Sequence, residues 1–380
     1  MKRFNIHDPS RDGCMLRGAL RNEGYDWWWH SFTGHNAQNG EERSFFIEYF
    51  LCNPGLGGST PILGQLPANR EHQVKPSYLM VKAGCWGEGA KQIHRFFGWK
   101  HVTVCMDAPY SVIADDCFAS DCLLEGSVSL TEEECTAHPE YMCSPGEMSW
   151  NLSVDKQIAF NVGYGAGKPF RAANAFQMYW HAEGMKTAFS GEVTLDGVKY
   201  TVDPDTCYGY SDKNWGSGFT SPWLWLSSND IYSNFSGKKL KNSVFDIGGG
   251  RPVVGGVPLD RKLLSAFWYE GHEFEFNFSK PHLFTQTRFD CTETDEEVLW
   301  HVAQTSADGK LECRIRCKKS EMLLMNYEAP DGSRQHNRLW NGGTGTGRIK
   351  LYARDDSAKL YLLDDMNAAH VGCEYGEFTR

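Results

Sequence analysis

Period-two alternation broken by Asp196-Gly197 and Asp308-Gly309 is the feature that most restricts what this chain can fold into. Leu311, Cys313, Ile315 and Cys317 alternate with Glu312, Arg314, Arg316 and Lys318 directly after Asp308-Gly309, which describes a strand with one wet face and places both cysteines in a core. Glu192-Val193-Thr194-Leu195 and Val198-Lys199-Tyr200-Thr201-Val202 flank Asp196-Gly197, a strong short-range signal for a tight hairpin. Phe274, Phe276 and Phe278 oppose Glu273, Glu275 and Asn277, and Ile349 and Leu351 oppose Arg348, Lys350 and Tyr352. The last third is therefore expected to be antiparallel throughout. Helical signal is scarce. Only Ser129-Leu130-Thr131-Glu132-Glu133-Glu134 reads as a cap followed by an acidic first turn. The expected class is all-β.

A length of 380 residues points to two domains. The most linker-like segment is Gly248-Gly249-Gly250-Arg251-Pro252 with Gly255-Gly256-Val257-Pro258, so the division is expected at 1–258 and 259–380. Residues 107–150 carry several prolines, glycines and acidic residues without clean alternation and are expected to form an irregular insertion, with the short helix inside it. Gly342-Gly343-Thr344-Gly345-Thr346-Gly347 is glycine-rich, but no βαβ unit surrounds it, so it is expected to be a turn and not a dinucleotide loop.

Composition removes several function classes. A net charge of −10 without a concentrated basic stretch argues against nucleic acid and anionic membrane as partners. Thirteen cysteines, an odd number without a paired framework, fit a reducing cytoplasm. Residues 1–9 lack the apolar run of a signal peptide, and no segment is long and apolar enough to span a bilayer as a helix. There is no P-loop and no serine nucleophile elbow. No cofactor is expected. The expected partner is a hydrophobic or phenolic small molecule, with a homo-oligomer left open.

Two tryptophan-rich blocks carry the functional signal: Tyr25-Asp26-Trp27-Trp28-Trp29-His30-Ser31-Phe32-Thr33-Gly34-His35, and Asp212-Lys213-Asn214-Trp215-Gly216 followed by Trp223-Leu224-Trp225. Repeated indoles beside Asp, Asn and His suggest the wall of a cavity for a flat apolar ligand. Asp212, packed among indole rings at a barrel rim, would have its ionised form disfavoured and could serve as a general acid, although Asp and Asn also cap turns. Asp26 has the same two readings. Trp27 and Trp29 share one strand face, and Asp26, Trp28 and His30 the other. His30 and His35 could be a polar pair in the cavity or ordinary hairpin residues. Glu48, central in the aromatic strand Phe45–Leu51, must be hydrogen-bonded if buried, as a structural anchor or as a catalytic carboxylate. Tyr179 and His181-Ala182-Glu183 have the same two readings. His94, His101, His181 and Glu183 lack metal-ligand spacing, so no metal is expected.

At these residues the chain resembles the tocopherol cyclase-like family, related more distantly to carotenoid 1,2-hydratases and other two-domain lipocalin-like proteins. Asp26-Trp27-Trp28-Trp29 is similar to that family's Glu-x-Trp-Tyr type signature, and Phe46-Ile47-Glu48-Tyr49 with Asn53-Pro54 to its next strand. Asp212-Lys213-Asn214-Trp215-Gly216 resembles the acidic-Lys-Asn-Trp-Gly element, and Trp223-Leu224-Trp225 the Trp-x-Trp strand after it. Gly347–Leu351 and Asn367–Gly372 resemble the closing strands.

The resemblance implies two antiparallel lipocalin-like β-barrel or sandwich domains with an aromatic ligand cavity. It also implies chemistry that begins by protonating a prenyl or polyene double bond, the cation being captured by a phenol in cyclases and by water in hydratases. Asp212 would be the acid, assisted by His30, Asp26 or Glu48. Trp215, Trp223 and Trp225 would stabilise the cation by about 2 kcal/mol each, with Trp28, His35, Tyr179, His181 and Asn214 completing the binding wall. The chain departs from the family in having Asp where the cyclases have Glu, in His30 and His35, in residues 107–150, and in lacking a transit-peptide composition. An isomerase that closes or opens an oxygen ring on a phenolic, prenylated or chalcone-like substrate is the expectation. A hydratase, or a lipocalin-like binder without catalysis, is the alternative.

Overall fold

A computed structural model describes residues 6–161, 176–254, 256–333 and 335–377. Residues 1–5 of the amino-terminal stretch and Gly255 of the glycine-rich run lie outside them. The named strands pair antiparallel in two large sheets, with one further short hairpin.

The first sheet runs Lys91–Phe97, Tyr78–Cys85, Glu42–Cys52, Tyr25–Asn36, then Met178–Leu195, Gly146–Phe160, Leu123–Leu130, Cys117–Ser120, Ser111–Ala114 and Val102–Cys105. Val198–Val202 and Gly209–Gly216 share the slot between Tyr25–Asn36 and Met178–Leu195. The sheet wraps on itself. Arg95 of its first edge strand pairs with Asp115 and Asp116, and the Tyr49 hydroxyl donates across the interior to the Phe118 carbonyl at 3.0 Å. Trp28, Phe32, Phe45, Ile47, Val112 and Leu124 fill the enclosed core.

The second sheet runs His272–Asn277, Lys262–Tyr269, Val244–Gly250, Trp223–Ser228, Leu360–Gly376, Gln335–Arg354, Lys310–Lys318, Glu297–Thr305 and Gln286–Glu293. It encloses its own core of Leu224, Phe276, Trp300, Cys313, Ile315 and Cys317. A third apolar cluster lies between the sheets, joining Tyr25, Trp29, Phe46 and Trp180 of the first to Trp223, Trp225, Met325 and Tyr327 of the second. The strand Glu42–Cys52 is buried from Ser44 onward because it is covered on both faces, by the first core and by this seam.

Local chemistry explains most elements. Asp196 and Gly197 both adopt positive φ, 47° and 78°, the geometry a two-residue hairpin requires, and Leu195 pairs with Val198 across it. The helix Glu132–Ala137 starts at a complete capping box between Thr131 and Glu134.

Three expectations are corrected. Residues 107–150 are not irregular: Ser111–Ala114, Cys117–Ser120 and Leu123–Leu130 are consecutive strands of the first sheet, two of them only four residues long and too short to display alternation. Gly342–Gly347 is not a turn but part of the strand Gln335–Arg354, whose register shifts there. A side chain at Gly343 would come within 2.2 Å of the Trp86 ring, so the glycine lets the first sheet press an indole onto the second sheet's backbone. The run Gly248–Gly250 is likewise in a strand, and a Cβ at Gly248 would sit 3.2 Å from the Trp180 ring. Glycine here serves close sheet contact, not a linker. Hydrogen bonding changes sheets between Gly216 and Trp223, so Val244–Gly250, placed before the expected division at 259, belongs with the second sheet.

Candidate active site between the sheets

Cross-strand register assembles the site. In the first sheet Asp212 lies opposite Trp29, Trp29 opposite Glu48, Glu48 opposite Lys82, and Lys82 opposite His94. Neighbours directly across an antiparallel pair project from the same face, so five strands deliver a transverse row of acid, indole, acid, lysine and imidazole toward the second sheet. Strand spacing of about 4.8 Å puts Asp212 and Glu48 about 10 Å apart along the row.

Asp212 is buried in mid-strand and not at a rim, as its turn-like sequence had suggested. Its Oδ2 accepts from the Trp180 indole at 2.7 Å and the Tyr210 hydroxyl at 3.0 Å, while among the described residues Oδ1 has no partner. Burial raises its pKa to about 7, against the pull of those two donors, and the charges of Glu374 and Glu48 add to the rise. Glu48 is also fully buried. Tyr327 of the second sheet donates to its Oε2 at 2.9 Å, and Oε1 is unpartnered. Burial lifts Glu48 to about 7 although Lys82 and Tyr327 favour its ionised form.

Two more carboxylates come from the second sheet. Asp246 accepts from the Trp225 indole at 3.1 Å and lies 3.1 Å from the Tyr210 hydroxyl, whose single proton it shares with Asp212, and burial followed by the nearby Asp212 charge holds it well above the usual carboxylate range. Glu374 accepts from the Trp223 indole at 2.7 Å and from Asn341, and burial raises its pKa. The donors around these acids are neutral indoles, phenols and an amide. Such donors orient a carboxyl group without fixing it as the anion.

Beside this part of the seam an apolar pocket is lined by Tyr179, Trp180, Trp223, Gly248, Leu264 and Phe278 among others. Trp180 and Trp223 therefore wall the pocket with their rings while their N–H groups hold Asp212 and Glu374.

The residues expected from sequence divide between the two faces of one sheet. Asp212, Glu48, Asn214, Trp223 and Trp225 meet in the seam between the sheets, Asn214 accepting the Tyr25 hydroxyl at 2.6 Å. Asp26, His30, Trp28, His181 and Trp215 lie on the opposite face, inside the first sheet's curl. There Lys213 pairs with Asp26 at 2.6 Å and lies over the Trp28 and Trp215 rings, and Tyr179 stacks on Trp215. His30 bonds Ser211 through Nδ1 at 3.0 Å, and burial lowers its pKa to about 3, so it is neutral at physiological pH. His35 is half-exposed at the strand end, 3.5 Å from Glu42. It is not paired with His30.

Sequence reading did not find Lys82, Trp29, Tyr327, Asp246 or Glu374 as site residues. Position across from Glu48 could have flagged Lys82 had strand register been known.

The same inner face holds Lys156, bonded to Asp12 at 2.9 Å, Asp121 at 2.6 Å and Glu183 at 2.6 Å. Burial alone would raise Asp12, yet Lys156, His181 and His7 hold it well below the usual range. His7, Asp12 and Asp121 place ligand atoms within 4.8 Å of one another. The Lys156 ammonium already sits on two of them, which disfavours a divalent cation. All thirteen cysteines are free.

No family model matches the chain. Tocopherol cyclase from Zea mays, described as chloroplastic, is 31% identical over 144 residues, which cover 37% of this chain and 27% of that protein. A probable tocopherol cyclase from Oryza sativa subsp. japonica matches to the same extent. The match thus spans about a quarter of the length of these relatives. Among solved structures, a putative AttH from Nitrosomonas europaea aligns with a TM-score of 0.47 at 12% identity over 99% of this chain and 97% of its own. Kievitone hydratase from Nectria haematococca aligns with a TM-score of 0.41 at 10% identity, covering 93% and 89%. Resemblance to the tocopherol cyclase-like family is therefore present in the sequence, and the fold is all-β in two antiparallel sheets.

Proposed function

From the tocopherol cyclase-like resemblance as premise, we propose that this protein is a cofactor-independent isomerase that closes or opens an oxygen ring on a phenolic, prenylated or flavonoid-like substrate at the seam between its sheets. The observation that carries this reading is the Asp212–Trp29–Glu48 row, two buried carboxyl groups poised near pH 7 on either side of an indole. Asp212 in its acid form would protonate a double bond, with the Trp29 ring stabilising the cation that results. Glu48 in its carboxylate form would take the proton from the attacking hydroxyl. The apolar pocket behind Trp180 and Trp223 would take the substrate's hydrocarbon part.

Two domains that follow the sheets, divided between Gly216 and Trp223, would each supply one wall. Thirteen free thiols fit a reducing compartment. Among the described residues no helix is long and apolar enough to cross a membrane.

The test is incubation of the purified protein with prenylated hydroquinones, chalcones, flavanones and linear isoprenoids, followed by chromatography and mass measurement. A new product of unchanged mass supports the isomerase. Gain of one water would replace it with a hydratase, and tight retention without conversion with a binding protein.

A further inference from the structure

Lys82 is 1% exposed, yet among the described residues its ammonium has neither a hydrogen-bond acceptor nor a carboxylate within ion-pair distance. Its recorded contact is the Tyr327 ring, 4.8 Å away. The other deeply buried lysines differ. Lys156 and Lys213 each hold carboxylate oxygens at 2.6 to 2.9 Å. Burying a lysine away from any carboxylate is costly. Two neighbours in the row are also incomplete among the described residues: Trp29 Nε1 is a donor without a partner and Glu48 Oε1 an acceptor without one. Donor, acceptor and donor therefore stand on three successive strands of one face.

Resting on the seam as the substrate site, we infer that Lys82 and the Trp29 indole N–H bind the substrate's oxygen as an oxyanion, selecting an acidic hydroxyl, a phenol or enol, over an alcohol or ether. A permanent anion such as a carboxylate is disfavoured, because Glu48, Asp212 and Glu374 already crowd the seam with acidic groups. A hydroxyl that gives its proton to Glu48 on binding brings no net charge. In the reaction the O–H bond breaks and its proton goes to the Glu48 carboxylate. The oxygen lone pair then forms a C–O bond to the carbon made cationic when Asp212 protonated the double bond. Asp212 ends as carboxylate and Glu48 as acid, and return of one proton from Glu48 to Asp212 resets the site. No electrons are exchanged with a partner.

The titratable groups facing Lys82 are Glu48 and His94 on the flanking strands, Cys143 from the segment after the helix, and Tyr327. Burial keeps His94 neutral down to about pH 3 and pushes the Cys143 thiol up to about 12.

The experiment follows the phenol-to-phenolate absorbance change of 4-hydroxychalcone bound to the full chain, with 4-methoxychalcone as the ether control. Bound to wild type, the phenol is expected to ionise at least one pH unit lower than in water. Lys82→Met should abolish that shift and Trp29→Phe should reduce it. Because Lys82→Met removes an unpaired buried charge, it should unfold at the same or a higher temperature. Should it fail to fold, Lys82→Gln and Trp29→Phe read the same shift. A bound phenol that titrates as in water, a shift that survives Lys82→Met, or failure of 4-hydroxychalcone to bind overturns the inference. Turnover of the substrate panel without the shift would leave the isomerase standing and remove only the oxyanion site. A shift without turnover would leave the oxyanion site and remove the isomerase.

Discussion

The two faces of the first sheet use the same residue types to opposite ends. On the inner face each carboxylate meets a lysine within 3 Å: Asp26 with Lys213, and Asp12, Asp121 and Glu183 with Lys156. On the outer face Asp212, Glu48 and the facing Asp246 and Glu374 meet indoles and phenols, and Lys82 stands apart. Ion pairing on one face anchors the amino-terminal segment through Asp12, although burial still raises Asp26 and Glu183 above the usual carboxylate range. Neutral donors on the other leave protons free to move. Burial lifts carboxyl groups on both faces, and what differs is whether an ammonium or a neutral donor stands opposite.

The largest expected effect tests the paired face. Lys156→Met leaves three carboxylates without their cation and should cost at least about 3–5 kcal/mol in urea denaturation. A loss no greater than that of Lys82→Met would erase the distinction between the faces. Next is catalysis: Asp212→Asn is expected to lower turnover about 10²–10⁴-fold while ligand binding persists. His30→Gln, on the neighbouring strand but the opposite face, should leave turnover unaltered, so an equal loss in both variants would break the comparison.

The pH dependence sharpens it further. With Asp212 needed as acid and Glu48 as base, and both near 7, activity should follow a bell centred near neutrality. The raised Asp212 pKa also sets a sign for stability. Its contribution is complete below its ordinary value of 3.8 and is lost as pH rises through about 7, so Asp212→Asn should flatten that part of the stability profile.

The smallest effect belongs to the rim of the seam, where His370 bridges Asp230 at 2.8 Å and Glu42 of the first sheet at 2.6 Å. Burial opposes its charge, but the two carboxylates raise its pKa to about 9. This clamp should be fully present below pH 6.5 and lost as pH rises through about 9, a dependence that His370→Asn would remove from thermal melts.

Strand character, the Asp196-Gly197 hairpin, the capped helix at Thr131 and the inward placement of Cys313 and Cys317 follow from the sequence, because each depends on neighbours one to four positions away. So does the split of Trp28 from Trp27 and Trp29, which period two dictates. Glycine was misleading for a physical reason. Gly248 and Gly343 look like turn or linker residues, but they are places where Trp180 and Trp86 of the other sheet approach the backbone, and no local rule reveals a partner more than 60 positions distant. The identity of Asp212 and Glu48 as candidate acids was legible in their aromatic setting. Their alignment through Trp29, the company of Lys82, and the exclusion of Asp26 and His30 to the far face were decided only by register and by the packing of one sheet on the other. Those relations join residues from strands 19 to 183 positions apart, and hydrogen bonding between strands is what fixes them.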